Sequence, residues 1–597
     1  MRRLLFIALG VLSASAVLAD GPDTLPEGYW PEANVAELLA KTETVRLAPD
    51  LSRLDASERA AVEHLLKAGA IVQRLYEDAR HHQALASHAK LVELDSRLGS
   101  PKRTKDLLDL YRLFQGPIAS TLENNRVPFL PVDPQVPARN VYPTDVTRDE
   151  LNTFLDANPS RRAAILAERT VVRRATQENL DRDLDALADG ALATLHGALG
   201  TELKALAAKP DPQAFYAVPY AVAQATDHRQ IFKHLYEAAD AITPTDPEFA
   251  AYLRNRARDF LSNDYESGDA SWVTGRYKNL NAQVGAYETY DDALFGVKAF
   301  PSFSLLMTDQ KATDDLRKKL GGLQKVEDAL PYDHPKRVRE DISVGIYDVI
   351  ADFGQARGTN TATILPNDPL HSRKYGRTIL LRRNVMENPD LFAADLRVWK
   401  SATADAFADD LAPAGNFQRT LWHEVGHYLG VDRDKEGRTL DVALEDQADA
   451  LEEMKSDLVS LFTLHRMAND GTIDAALLRA VQAAGIRRTL QNVKPRKDQP
   501  YQTMQLAQFN YFLDKGLITA DPTTARLTID YTKYMDVVTP LLKDVLDLQY
   551  AGDKAAAEAF FTKWGAWTPD IHEKLAARIR DAQGARFRLV RYGALGE

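Results

Sequence analysis

The 597-residue sequence predicts a mainly α-helical protein with a smaller β component, an α+β chain of more than one domain. Three observations carry this. Apolar residues recur at helical spacing over most of the length, strand-like runs are few, and the composition, 45% hydrophobic and 27% charged, is rich enough to bury a large core.

The elements follow in chain order. Arg2 and Arg3 precede an apolar run, Leu4 to Leu18, with small residues near its end. That pattern predicts an export signal over 1–19, cleaved between Ala19 and Asp20, and so a periplasmic or secreted protein. The run is short for a membrane span, and no other stretch approaches one, so no stable membrane insertion is expected after its removal. Residues 55–98 carry Ala61, Leu65, Leu66, Ala68, Ile71, Val72 and Leu75 at helical spacing. Helical patterns also fit 102–114, 147–157, 160–208, 229–240 and 246–262. Between them, 115–145 holds Pro117, Pro128, Pro131, Pro134, Pro137 and Pro143, which exclude long helices and predict an ordered loop. Strand-like runs lie at 342–350, 379–382 and 587–592. A net charge of −11 argues against non-specific nucleic-acid binding. The absence of cysteine excludes disulfides, thiol nucleophiles and thiolate metal sites, so any metal must be held by His, Asp or Glu.

One stretch carries chemistry. Trp422-His423-Glu424-Val425-Gly426-His427-Tyr428 is a His-Glu-x-x-His motif. On a helix His423 and His427 stand one turn apart on one face, where two imidazoles can grip one zinc ion. Glu424 sits beside them as a general base for water. Zinc needs a third protein ligand and keeps a fourth position open. Downstream, Glu452-Glu453-Met454-Lys455-Ser456-Asp457 lies on a second helical pattern with Leu444, Leu451, Met454, Leu458, Leu461 and Phe462 as its apolar stripe. Glu453 and Asp457 are one turn apart there. This resembles the Glu-x-x-x-Asp arrangement that follows His-Glu-x-x-His in the thermolysin-like zinc peptidases, which implies Glu453 as the third ligand and Asp457 as acceptor of a ligand histidine's outer N–H, with Glu452 just outside the ligands. A charged turn at 431–438, with Gly437, is expected between the two helices.

At these residues the chain resembles the dipeptidyl peptidase III family in its shorter bacterial form. Further segments extend the resemblance: 45–52 (VRLAPDLS), 139–145 (RNVYPTD), 284–292 (VGAYETYDD), 364–368 (ILPND) and 508–511 (QFNY). The resemblance implies two lobes around a wide cleft, with one Zn2+ in the helical lobe. The lower lobe, helices around a small β core, would take 20–305 with 345–393 and 560–597. The helical catalytic lobe would take 306–344 with 394–559. It also implies removal of dipeptides from the N-termini of short peptides. Glu288 would pair with the peptide's α-amine, Asn367 would bind its backbone, and Tyr290 would hydrogen-bond its carbonyl or oxyanion. The sequence departs from the family pattern at Ile364, where an Asn is usual, and at Tyr428, where a Gly is usual. The family's transition-state histidine is also missing, since no His lies between His465 and His572; Tyr501 takes that place. A tyrosine can still donate a hydrogen bond to an oxyanion. Two other readings stay open at this stage: a zinc hydrolase of altered specificity (an aminopeptidase or other amidase), or a non-catalytic zinc-containing peptide-binding protein. The sequence leaves the oligomeric state unknown.

Overall fold

The computed structural model describes residues 25–597 except 124, 189, 290, 321, 339–342, 367–368 and 496–498. The expected export signal at 1–19 therefore lies outside the described residues, as do Tyr290 and Asn367. The α+β class holds: helices dominate and one mixed sheet accompanies them. No helix among the described residues is long and apolar enough to cross a membrane.

The chain divides into two compact units. The smaller takes residues up to Leu39 with Gln83–Gln135, and the larger takes Ala40–His82 with Val136–Glu597. The smaller unit packs short helices over a hairpin, Ile118–Ser120 against Arg126–Pro128, so the proline-rich segment, expected as an ordered loop without long helices, carries two short strands.

The larger unit is built around a five-stranded sheet: β1 (Leu280–Ala286), β2 (Pro301–Thr308), β3 (Ser343–Gly354), β4 (Ala362–Leu365) and β5 (Thr378–Arg382), in the order β1-β2-β3-β5-β4. Only the β3–β5 pair is parallel, in register Ile379↔Val344. Strand periodicity splits this sheet between two cores. Val344, Ile346, Ile379 and Leu381 face a helical core. Tyr347, Val349, Phe353 and Leu380 face the opposite core, which α1 (Ala56–Arg80) and α2 (Ala225–Ile242) cover. The strand-like runs expected at 342–350 and 379–382 fall in β3 and β5, whereas β1 and β2, buried along their whole length, lie outside the expected runs.

The expected single helix over 160–208 is interrupted. Thr170–Ala175 (TVVRRA) is a strand paired with Asp211–Pro219, because consecutive β-branched residues with a distant partner outweigh a weak helical period. The pattern at 55–98 is likewise two helices, Ala56–Arg80 and Ala84–Arg97.

The helical core joins α3 (Pro413–Gly426), α4 (Ala448–Asn469), α5 (Ala475–Arg488), α6 (Pro500–Asp514) and α7 (Tyr534–Ala551) around Leu421, Val425, Leu458, Val481, Phe509 and Leu541. Two glycines set how closely α3 approaches its neighbours. A Cβ on Gly415 would lie 2.4 Å from the backbone of Ala480 in α5. A Cβ on Gly426 would lie 2.9 Å from the Ser456 carbonyl oxygen in α4. The second of these lies inside the motif and lets it dock flat on the helix that carries Glu452 and Glu453.

Candidate metal centre

The motif occupies the last turn of α3, which opens on Pro413, where a fixed φ suits a first helical turn. His427 is the C-cap and keeps helical dihedrals, φ −63° and ψ −19°, so it still projects one turn from His423. The chain then turns through 431–439, where Asp434 accepts from the Glu436 and Arg438 backbone N–H groups and Gly437 takes φ +79°. This is the charged turn the sequence predicts.

Helix α4 meets the histidines with two i,i+4 rows. Glu453 and Asp457 face His423, while Glu452 and Ser456 face His427. Asp457 Oδ1 lies 2.7 Å from His423 Nδ1. Glu452 Oε1 lies 2.9 Å from His427 Nδ1, with Ser456 Oγ at 3.0 Å. Acceptors at both Nδ1 atoms hold a proton there, so Nε2 is the atom each ring would offer to a metal ion. Those Nε2 atoms converge on one carboxylate: His423 Nε2 is 3.2 Å and His427 Nε2 is 3.9 Å from Glu453 oxygens. One donor atom from each of the three residues lies within 4.8 Å of the other two.

Electrostatics around this cluster favour a cation. Burial opposes charge on His423, but Asp457 and Glu453 outweigh it and raise its pKa to about 9. Burial also opposes the Glu453 carboxylate, yet the two histidines hold its pKa below the ordinary value. Asp457 is itself held by Arg419 at 2.9 Å and Arg488 at 3.2 Å, far below the usual carboxylate range. Glu453 Oε2 is buried and has no hydrogen-bond partner, an expensive state for a carboxylate unless an ion completes it. Two imidazoles and one carboxylate, whose buried Oε2 accepts no hydrogen bond, form a donor set that fits a divalent metal ion of the zinc type.

The cluster opens onto a cleft of about 1190 Å3. Glu424, Glu288 and Tyr501 line it together with His423, His427, Glu452 and Glu453; Asp457, behind His423, does not. Ile364, paired with Ile379 in the sheet, lines the same cleft. Tyr501 is 47% exposed. Burial of its hydroxyl and its hydrogen bond to Glu453 raise its pKa, so it stays protonated and able to donate.

Several residues that shape the site escaped the sequence reading. Lys455 is 1% exposed and sits in α4 between Glu452 and Asp457. Its Nζ donates to the carbonyls of Gly426 (2.8 Å) and Leu429 (2.9 Å) and lies 2.7 Å from Glu452 Oε1. It thus supplies a cation to the end of the motif helix, where carbonyls lack partners and the helix dipole is negative. Gln549 of α7 holds the other oxygen of Glu452 at 3.1 Å. Arg419 stands one turn before His423, so helical spacing could have indicated it; nothing in the sequence points to Arg488 or Gln549.

Comparison with known proteins agrees with this architecture. The structure of DPP III from Caldithrix abyssi superposes with a TM-score of 0.79 at 22% identity, covering 93% of this chain and 98% of that one. Dipeptidyl-peptidase III from Corallococcus sp. strain EGB gives 0.73 at 23%, covering 95% and 98%. In sequence, the chain is 26% identical over 439 residues to Nudix hydrolase 3 of Arabidopsis thaliana, covering 72% of this chain and 54% of that protein. It therefore spans about half the length of that curated relative. No protein-family model matches the chain. Near-complete coverage of two solved structures in both directions shows that this chain has the dipeptidyl peptidase III fold.

Proposed function

We propose that the protein is a zinc-dependent exopeptidase that removes dipeptides from the N-termini of short peptides, exported through the segment 1–19. The observation that carries this reading is the convergence of His423, His427 and Glu453 beside Glu424 at one wall of a peptide-sized cleft. The lobe boundaries implied by the family resemblance are part of the same proposal.

His423, His427 and Glu453 would hold a zinc ion, which when bound would supply Lewis acidity toward water and the scissile carbonyl. The protein's own groups do the rest. Asp457 and Glu452 fix the two imidazoles with Nε2 directed at the ion's place. Glu424 takes the proton of the attacking water and returns it to the leaving amine. Tyr501 donates a hydrogen bond to the oxygen that becomes negative, a contribution typically worth a few kcal/mol of barrier. Glu288, on the sheet side of the cleft, pairs with the peptide's α-amine. Tyr290 and Asn367 carry their expected roles as part of this proposal.

The apolar Ile364 in the cleft wall and a tyrosine at 501 favour one second reading, a zinc hydrolase that releases single residues or cleaves another amide. A single experiment separates these: digestion of unmodified peptides by parent and Glu424→Gln protein, read by mass spectrometry alongside metal analysis. The proposal expects dipeptides from the parent. It expects a loss of about 10²–10⁴ in rate for the variant, with its metal content unchanged. Single-residue products would favour the second reading. Full activity in Glu424→Gln would remove Glu424 as the base.

A further inference from the structure

We infer a second transition-metal site in this protein, formed by His64 of α1 with His234 and Glu237 of α2, remote in sequence from the His-Glu-x-x-His motif. His64 Nδ1 lies 3.1 Å and His234 Nδ1 lies 3.2 Å from the same oxygen, Glu237 Oε2. The three donor atoms lie within 4.8 Å of one another. These two approaches are not hydrogen bonds: both Nδ1 atoms are buried and neither has a hydrogen-bond partner. An uncompensated pair of buried imidazole nitrogens aimed at one carboxylate oxygen is costly unless something sits between them.

A metal ion accounts for the spacing. Tetrahedral bonds of about 2.0–2.1 Å put neighbouring donor atoms roughly 3.3 Å apart. The two nitrogen–oxygen separations, 3.1 and 3.2 Å, are close to that edge length. The other carboxylate oxygen is occupied separately, with Lys233 Nζ 3.7 Å from Oε1, which leaves Oε2 for the ion. All three side chains are half-buried, so a fourth position stays open to water. Two neutral imidazoles and one carboxylate suit zinc above the hard alkaline-earth ions.

The helices hold the donors in place. His234 and Glu237 are one turn apart on α2, and His64 comes from the facing helix. Around them Ala61, Leu65 and Ala68 of α1 are fully buried, as are Ile231, Leu235 and Ala238 of α2. An ion here pins two helices that cover the sheet, so its role is structural, cross-linking elements about 170 residues apart in a chain that has no cysteine to do so.

The test is titration of the metal-stripped full-length chain with zinc alone, read as ions bound per chain and as the zinc-induced change in melting temperature. Parent protein is compared with His64→Gln/His234→Gln, with His423→Gln/His427→Gln, and with all four changes together. The first variant is expected to bind one ion fewer than the parent. The second is expected to keep one ion whose binding still raises the melting temperature, and the fourfold variant to show neither. The second and fourfold variants differ only at His64 and His234, so this comparison stands whether or not the motif binds metal. Glu237→Gln, a partly exposed change that leaves the fold intact, should weaken the remaining site by about tenfold or more. Equal stoichiometry in the parent and His64→Gln/His234→Gln would overturn the proposal. So would identical zinc responses in the second and fourfold variants.

Discussion

Replacing Lys455 with Met tests how the motif helix is held. The change keeps the unbranched stem and removes the ammonium. The Leu429 carbonyl loses its donor, the Gly426 carbonyl keeps only the Leu429 N–H at 3.0 Å, and Glu452 loses a cation 2.7 Å away. The one orphaned buried carbonyl costs about 1–3 kcal/mol, and breaking a buried ion pair costs about 3–5 kcal/mol. The terms overlap, because Glu452 keeps His427 and Gln549 as partners. A net loss of about 3–4 kcal/mol is expected, concentrated where α3 ends. A chain of this size need not unfold in one step, so local opening is the proper measure. Hydrogen exchange over residues 420–432 should accelerate by about 10²–10³, since roughly 1.4 kcal/mol corresponds to tenfold. Because Glu452 orients His427, metal affinity should fall about 10–100-fold. Lys455→Arg, which keeps the charge, should lose less of both. If Lys455→Met exchanged at the parental rate over this segment and bound metal within about twofold of the parent, Lys455 would not be what fixes the helix end.

Asp457→Asn leaves Arg419 and Arg488 facing a neutral amide and removes the charge that orients His423, so metal affinity measured by chelator competition should drop about 10–100-fold; an unchanged affinity would deny Asp457 that role. Gly415→Ala should lower the melting temperature by the equivalent of about 1–3 kcal/mol, because the new methyl meets the Ala480 backbone at 2.4 Å; a rise, as helix propensity alone predicts, would refute the packing argument. His228 is buried with its Nδ1–H donating to the Phe260 carbonyl at 2.7 Å, and burial lowers its pKa to about 4. Between about pH 6.5 and 4 the unfolded chain binds a proton the folded chain refuses, so stability should fall by about 3 kcal/mol as pH drops through that window. His228→Gln should flatten that part of the profile, and an unaltered slope would show that His228 is not the titrating group.

The motif was legible because its geometry is local. A helix forces His423 and His427 onto one face whatever surrounds them, and the same four-residue spacing pairs Glu453 with Asp457 and Glu452 with Ser456. The charged turn at 431–438 and the helix-free character of the proline-rich segment were equally local. Some features depended on partners far along the chain. Strands β1 and β2 lie outside the expected strand-like runs and take their form from pairing with each other and with β3, and 170–175 is a strand only because 211–219 lies beside it. Lys455, Arg488 and Gln549 are ordinary residues in isolation; they act on the site only because α4, α5 and α7 pack against α3 closely enough for Gly415 and Gly426 to be needed. His64 and His234 likewise met only when α1 and α2 packed. Covalent spacing thus determined which donors could share a helix face, whereas tertiary packing decided which buried charges would neutralise one another, since only close approach in a water-poor interior makes those contacts strong.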